Sequence, residues 1–130
     1  MTLSGNEHRS IDDGVQKRWG DSVASFGWTA VPNMLIRGMG ELGIEPTEMA
    51  VLLHLLVFWR QRDKQPYPSI TRIADELSVS SKTVERKLIS LENKGLIKKN
   101  KRIGLPTEYD LRPLAKKLDD EAGKSSKDLF

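Results

Sequence analysis

The 130-residue chain contains no cysteine, which excludes a disulfide framework and a metal site built from thiolates. Its two histidines, His8 and His54, show no metal-ligand spacing. His54 lies inside an apolar helical segment, where a histidine is more often a packed residue than a ligand. The sequence also lacks a nucleophile constellation and a glycine-rich phosphate loop. We therefore expect that the protein is not an enzyme and needs no cofactor or small-molecule ligand.

Long apolar runs are absent as well, since no uninterrupted stretch approaches the length of a membrane span or has the flanks of a signal peptide. This predicts a cytoplasmic location and no membrane partner. The length allows one domain with a single core. We predict a flexible N-terminal arm at residues 1–20 and a flexible tail at residues 123–130. The folded domain is then residues 21–122, with an N-terminal extension and a C-terminal helix.

The excess of positive charge over the whole chain is small, a net charge of only +3, but it is concentrated in one segment. Residues 68–112 contain ten Lys and Arg against six Asp and Glu, a net +4. Residues 1–67 contain seven against eight, and residues 113–130 contain four against four. A basic segment of this kind is the electrostatic footprint expected of a module that neutralises phosphates.

The basic segment has the apolar rhythm of two short helices. Ser69 can cap the first helix, whose apolar side chains share one face: Ile70, Ile73, Ala74 and Leu77. The period then breaks, because Val79 can fill the angle between the helices and Ser80 can cap the second one. Over residues 81–94 the apolar stripe is Val84, Leu88 and Leu91, and Gly95 follows as a helix stop. This pattern predicts a helix-turn-helix.

After the second helix the sequence predicts a β-hairpin, the wing. Residues 96–99 and 108–111 have the pattern of two strands around a loop at residues 100–107, with Tyr109 and Leu111 facing inward. Four cations lie beside this loop: Lys98, Lys99, Lys101 and Arg102. These cations suit a phosphate backbone or a minor groove that flanks the second helix.

The polar face of the second helix contains most of the candidate DNA-binding residues. Lys82 and Arg86 can donate to guanine or phosphate, whereas Glu85 either accepts from a cytosine amino group or pairs with a cation of its own helix. Hydroxyls at the helix start suit phosphate contacts, aided by free backbone amides. The full predicted set is Ser69, Thr71, Arg72, Ser80, Ser81, Lys82, Thr83, Glu85, Arg86, Lys87, Ser90, Lys98, Lys99, Lys101 and Arg102. Each residue alone is equally compatible with a solvated surface, so the prediction depends on their co-location.

These motifs resemble those of bacterial and plasmid- or phage-borne helix-turn-helix-domain proteins of winged-helix type, over residues 26–118. The matching residues are Pro66-Tyr67-Pro68-Ser69, Ile73-Ala74, Val79-Ser80, Thr83-Val84, Arg86, Leu88, Leu91 and Lys94-Gly95-Leu96-Ile97. The resemblance implies a mainly α fold with a small β-hairpin wing, a winged helix-turn-helix. Related proteins serve transcription regulation, plasmid replication initiation or protein contacts alone.

The chain departs from this pattern at Ser78, because the turn of such units usually has glycine there. A non-glycine residue in the left-handed conformation costs about 1 kcal/mol, a bearable cost that predicts a slightly different turn.

Outside the motif, residues 26–31 have the composition of a short strand and residues 32–39 that of a short helix, and Pro113 begins a C-terminal helix. Residues 46–60 form a helix that is apolar nearly all round and needs cover on every side. This helix is either the central core helix or the source of a surplus face for a homodimer contact. That face would include Phe58 and Trp59, or Trp19 and Trp28.

We therefore predict a DNA-binding winged helix-turn-helix protein, a homodimeric transcriptional regulator that reads the major groove of double-stranded DNA with the helix at residues 81–94. A plasmid or phage replication initiator or partition factor is the alternative within DNA binding. The alternative of another class is a winged helix that contacts only proteins. The distribution of charge distinguishes DNA-binding proteins from protein-interaction modules, because a protein-interaction module has no need to concentrate positive charge on the second helix and the hairpin.

Overall fold

The structure is a computed structural model that describes residues 14–124, in two units, residues 14–30 and 31–124. Most of the predicted arm and tail, residues 1–13 and 125–130, therefore lies outside the described residues.

In the first unit, residues 14–19, which belong to the segment predicted as a flexible arm, are helical (α1). A second short helix, α2, is Asp21–Ser25, and Gly20 between the two has a φ of 91°. The predicted strand at residues 26–31 is wrong, since these residues have no regular structure. Gly27 has a φ of 97°, outside the extended region, and Phe26 is 94% exposed, so the inward and outward alternation of a strand is absent.

The second unit is mainly helical with a two-stranded antiparallel sheet, which confirms the predicted winged helix-turn-helix class. Its elements are α3 Asn33–Arg37, α4 Pro46–Val57, α5 Ile70–Leu77, α6 Ser81–Asn93, β1 Lys98–Arg102, β2 Leu105–Asp110 and α7 Arg112–Lys124. Helices α4, α5 and α6 pack against one another, and β1 pairs with β2.

Helix α4 is the central core helix of this unit. Val51, Leu52 and Leu55 have no exposed surface, and they belong to one apolar cluster with side chains of α5, α6, β2 and α7. The helix ends at Val57, three residues earlier than predicted. Trp59 packs against the core, and the Phe58 ring lies 4.7 Å from the Arg72 guanidinium carbon. These two aromatic rings are therefore largely occupied within the chain, and the homodimer stays a prediction.

Both helices of the helix-turn-helix begin at the predicted capping residues. The Ser69 hydroxyl accepts a hydrogen bond from the Arg72 N–H at 3.1 Å and starts α5. The Ser80 hydroxyl accepts one from the Thr83 N–H at 3.1 Å and starts α6. The apolar stripe of α6 is buried as predicted, but Val79 is 36% exposed and fills the angle between the helices only in part.

Ser78 takes the left-handed conformation in the turn, with φ 56° and ψ 43°. It is the only non-glycine residue with positive φ among the described residues. The expectation of a different turn is therefore wrong. The turn keeps the geometry that glycine would give, and the chain accepts the steric cost of a Cβ atom at this position.

The wing is longer and tighter than predicted. Its strands extend to Arg102 and from Leu105, so the eight-residue loop expected at residues 100–107 is a two-residue turn of Ile103 and Gly104. The φ of Gly104 is 71°, a conformation that favours glycine. Tyr109 is 3% exposed and Leu111 is fully buried, as the sequence predicted.

The segment before α5 is attached to the far strand of the wing. The Tyr109 N–H donates to the Pro66 carbonyl at 2.9 Å, and the Leu111 N–H donates to the Gln65 side-chain carbonyl at 2.9 Å. Gln65 is buried, so its amide satisfies a backbone donor that water cannot reach. The wing and the helix-turn-helix are thus one connected structure.

A buried carboxylate fastens the start of α4 to the end of α6. Glu48 has no exposed surface, and one of its oxygens accepts from the Glu45 N–H at 2.8 Å and from the Lys94 ammonium. Lys94 also donates to the Gly43 carbonyl. Burial is the largest influence on the pKa of Glu48 and raises it, but the hydrogen bonds from Glu45, Lys94 and Ser90 and the charge of Lys94 together outweigh burial, and the pKa is lowered.

Ser78→Gly should raise the free energy of unfolding by about 0.5–1 kcal/mol, because glycine removes the steric cost of the left-handed conformation. Urea denaturation monitored by circular dichroism measures this change. Ser78→Ala is the matched control, since alanine keeps a Cβ atom, and its unfolding free energy should stay within about 0.5 kcal/mol of wild type. An equal gain in the alanine variant would show that backbone strain is not the cause.

Glu48→Gln should lower the free energy of unfolding by about 1–3 kcal/mol at pH 7, because glutamine cannot pair with the Lys94 charge. The folded pKa of Glu48 lies below its ordinary value of 4.5, so its stabilisation is complete above that value and is lost as the pH falls through the folded pKa.

The difference between wild type and Glu48→Gln should therefore be largest near neutral pH and vanish in acid, as measured by urea denaturation at a series of pH values. Glu41→Gln, at an exposed position, is the control and should show no such dependence. A constant difference at every pH would contradict the pairing.

Candidate nucleic-acid interface

The first turns of α6 present an open polar surface. Ser81, Lys82, Glu85 and Arg86 are all exposed. Lys82 and Arg86 occupy the side of α6 opposite the buried Val84, Leu88 and Leu91, and Ser81 and Glu85 lie at the edge of this side. Because a helix with one apolar stripe leaves its other face free, this part of the predicted site is brought together by the fold. The Lys82 ammonium and the Arg86 guanidinium are its donors.

Three of the predicted hydroxyls hold the helix starts. Ser69 caps α5 and Ser80 caps α6, through the hydrogen bonds described above. The Ser80 and Thr83 hydroxyls also lie 2.9 Å apart, and the Arg86 guanidinium is 3.5 Å from the Thr83 hydroxyl. These hydroxyls orient the first turn of α6 and position Arg86.

Two predicted residues of α6 face α4 instead of the open surface. The Lys87 ammonium lies 3.7 Å from a Glu45 carboxylate oxygen, at the start of α4. Ser90 is half-buried, and its hydroxyl is one of the groups that lower the pKa of Glu48. One helical turn separates Ser90 from Lys94, so this side of α6 is used to hold α4.

Of the two predicted DNA-binding residues within α5, one is exposed and the other contacts the rest of the chain. Thr71 is exposed. The Arg72 Nε lies 3.2 Å from a Glu76 carboxylate oxygen, and its guanidinium lies over the Phe58 ring. Arg72 therefore links α5 to the end of α4, and its charge is already partnered.

The wing contains three lysines and one arginine in different environments. Lys98 and Lys101 are exposed, and Lys99 is half-buried. The Arg102 guanidinium donates to the Pro106 carbonyl from Nε at 3.1 Å and from Nη2 at 2.7 Å. Its Nη1 lies 3.4 Å from a Glu108 oxygen, so Arg102 braces the hairpin across its two strands.

The wing lies beside α6. A Glu92 carboxylate oxygen accepts from the Lys99 N–H at 2.9 Å, which joins the last turn of α6 to β1. Burial raises the pKa of Tyr109 in β2, and the nearby negative charge of Glu85 raises it further. The open face of α6 and the base of the wing are therefore neighbours, as the DNA-binding prediction requires.

Sequence analysis missed the residues that assemble this surface. Glu48 and Lys94 are partners 46 positions apart, and the Gln65 side chain accepts from the Leu111 N–H, also 46 positions away. Pro46 and Glu48 are typical of a helix start, but no local pattern identifies Lys94 as the partner of Glu48.

Comparison with known proteins identifies the family. A profile of the DnaD N-terminal domain matches residues 31–128. The chain belongs to the DnaD N-terminal domain family. The crystal structure of the N-terminal domain of DnaD protein from Geobacillus kaustophilus HTA426 is similar, with 27% sequence identity and a TM-score of 0.60. The match covers 79% of this chain and 89% of that chain.

No curated protein matches the sequence. The family match begins at residue 31, so the first structural unit lies outside it. The winged-helix resemblance is confirmed at the level of fold, but the comparisons do not support the specific type of transcriptional regulator that it suggested. Within residues 14–124, no helix is long and apolar enough to span a membrane.

Proposed function

We propose that this chain is a DNA-binding, non-enzymatic component of a DNA replication system. The observation that supports DNA binding most strongly is that two elements in contact with each other, α6 and β1, both expose cations that form no described ion pair. Support for replication comes from the family, since the DnaD N-terminal domain is replication-related. Among the alternatives drawn from the sequence, the replication factor is therefore preferred over the transcriptional regulator.

In the proposed interface, α6 contacts the bases and β1 contacts the phosphates. Lys82 and Arg86 on α6 meet the major groove of double-stranded DNA, where a guanidinium can donate two hydrogen bonds to guanine. Lys98 and Lys101 on β1 bind phosphates beside it. The cations that already have partners, Arg72 and Lys87, position the helices instead.

A winged helix that contacts only proteins remains the proposal's rival. The arrangement of charge favours DNA, because the two acids of β2 are paired, Glu108 with Arg102 and Asp110 with Arg112, while Lys98 and Lys101 are exposed and form no described ion pair. The proposal includes a homodimer, since two copies related by a two-fold axis would place two α6 helices on successive turns of the major groove.

Lys98→Ala combined with Lys101→Ala should weaken binding to every duplex sequence and flatten the slope of log affinity against log salt by about two units, because two phosphate contacts are lost. Fluorescence anisotropy of a labelled mixed-sequence duplex over a salt series measures both effects. Arg72→Gln combined with Lys87→Gln is the matched control, since it removes two cations that are already paired, and its slope should equal that of wild type. Equal slopes for both double variants would contradict the assignment.

Arg86→Ala should cost about 1–3 kcal/mol of affinity for a preferred sequence and relax the preference at one base pair. Selection of bound fragments from a random duplex pool, with wild type and variant in parallel, measures this loss. A variant that loses affinity equally for all sequences would place Arg86 on phosphate instead.

The replication role is tested by the position of the selected sequence in the genome or element that encodes the chain. Repeats of the sequence beside a replication origin would support the proposal. Sites distributed over promoters would instead support the transcriptional regulator, and the absence of any duplex binding would overturn DNA binding altogether.

A further inference from the structure

The tip of the wing exposes an apolar side chain completely. Ile103 has a relative exposure of 103%, the highest among the exposed large apolar side chains of the described residues, and Leu105 is 58% exposed. Ile103 and Gly104 are the two central residues of the tight turn, and Leu105 is the first residue of β2. A two-residue turn leaves no chain to fold back over Ile103, so this side chain projects from the end of the hairpin.

Side-chain contacts link the two strands next to the tip. The Arg102 guanidinium in β1 donates two hydrogen bonds to the Pro106 carbonyl in β2 and forms an ion pair with Glu108. Its carbon lies 5.8 Å from the centre of the Tyr67 ring, which comes from the segment attached to β2. Because the backbone of the turn is already fixed by these contacts, an apolar side chain on it loses little conformational freedom when it binds a partner.

The charge of the hairpin is mainly positive. Residues 98–110 contain four Lys and Arg against two Asp and Glu. Arg102 is engaged by the hairpin itself, but Lys98 and Lys101 are exposed. A single apolar side chain at the end of a ribbon with exposed lysines along it matches a narrow groove between two rows of phosphates.

We propose that Ile103 is a wedge that enters the minor groove of duplex DNA and partly unstacks one base step, while the lysines of β1 bind the flanking phosphates. This inference rests on the proposed DNA binding and adds a deformation of the DNA to it. Apolar wedges between base steps kink the duplex, and pyrimidine–purine steps resist this least. A minor groove about 6 Å wide admits one such side chain, whereas a lipid surface is better served by a broad apolar face.

The test uses the full chain and a duplex with 2-aminopurine beside a central TA step, with a donor and an acceptor dye at its two ends. At saturating wild-type protein, 2-aminopurine fluorescence should rise as the step unstacks, and the end-to-end distance should shorten as the duplex bends.

Ile103→Ser should lose both signals at saturation, while the slope of affinity against salt stays that of wild type because the lysines are kept. Ile103→Phe should retain both signals, since an apolar wedge is still present. Ile36→Ser is the matched control, because Ile36 is exposed by 53% on α3, away from the wing, and this variant should behave as wild type.

The outcomes separate the wedge from DNA binding itself. If Ile103→Ser binds and gives the same fluorescence and bending as wild type, the wedge is wrong and the DNA-binding function stands. If wild type binds no duplex, both are overturned. If wild type binds without unstacking but sediments with vesicles of anionic lipid through Ile103, the tip contacts lipid and the wedge is wrong.

Discussion

The position of α6 depends on one buried ionic contact. Glu48 is enclosed at the start of α4, where it satisfies a free backbone N–H, and Lys94 reaches it from the end of α6. A buried carboxylate without a cation would be costly, so the pairing of these two residues is enforced by the low polarity around them. With Lys87 beside Glu45, α6 is held to the start of α4 at two points two turns apart. The opposite face of α6 is thereby turned outward.

Pairing, more than composition, decides which cations are available to a nucleic acid. The basic segment contains ten cations, but Arg72, Lys87, Lys94, Arg102 and Arg112 each have an acidic partner within the chain. The remaining five are Lys82, Arg86, Lys98, Lys99 and Lys101. They are confined to the open face of α6 and to β1, which is a smaller and more sharply defined surface than the segment as a whole.

Most of the fold of the second unit could be predicted because its signals are local. Caps at Ser69 and Ser80, and stripes three and four residues apart, depend only on neighbours along the chain. The predicted strands of the wing were too short, because a polar, basic strand such as Lys98–Arg102 lacks the alternation of apolar residues that marks a strand in the sequence. Its length is set by its pairing with β2, which the sequence does not show. The roles within the candidate site were the hardest to predict, because Lys87 and Arg102 differ from Lys82 and Lys101 only in contacts that the folded chain creates.

The attachment of Gln65 and Pro66 to β2 limits how this protein can be re-engineered. A deletion of the hairpin would strip the backbone donors of Tyr109 and Leu111 from their acceptors and release the segment that leads into α5. The tip has no such ties, because residues 103 and 104 make no contact with that segment through their backbone hydrogen bonds. Grafted loops, affinity tags or cross-linkers inserted at the tip would therefore leave this attachment intact, although they would replace the side chain proposed as the wedge.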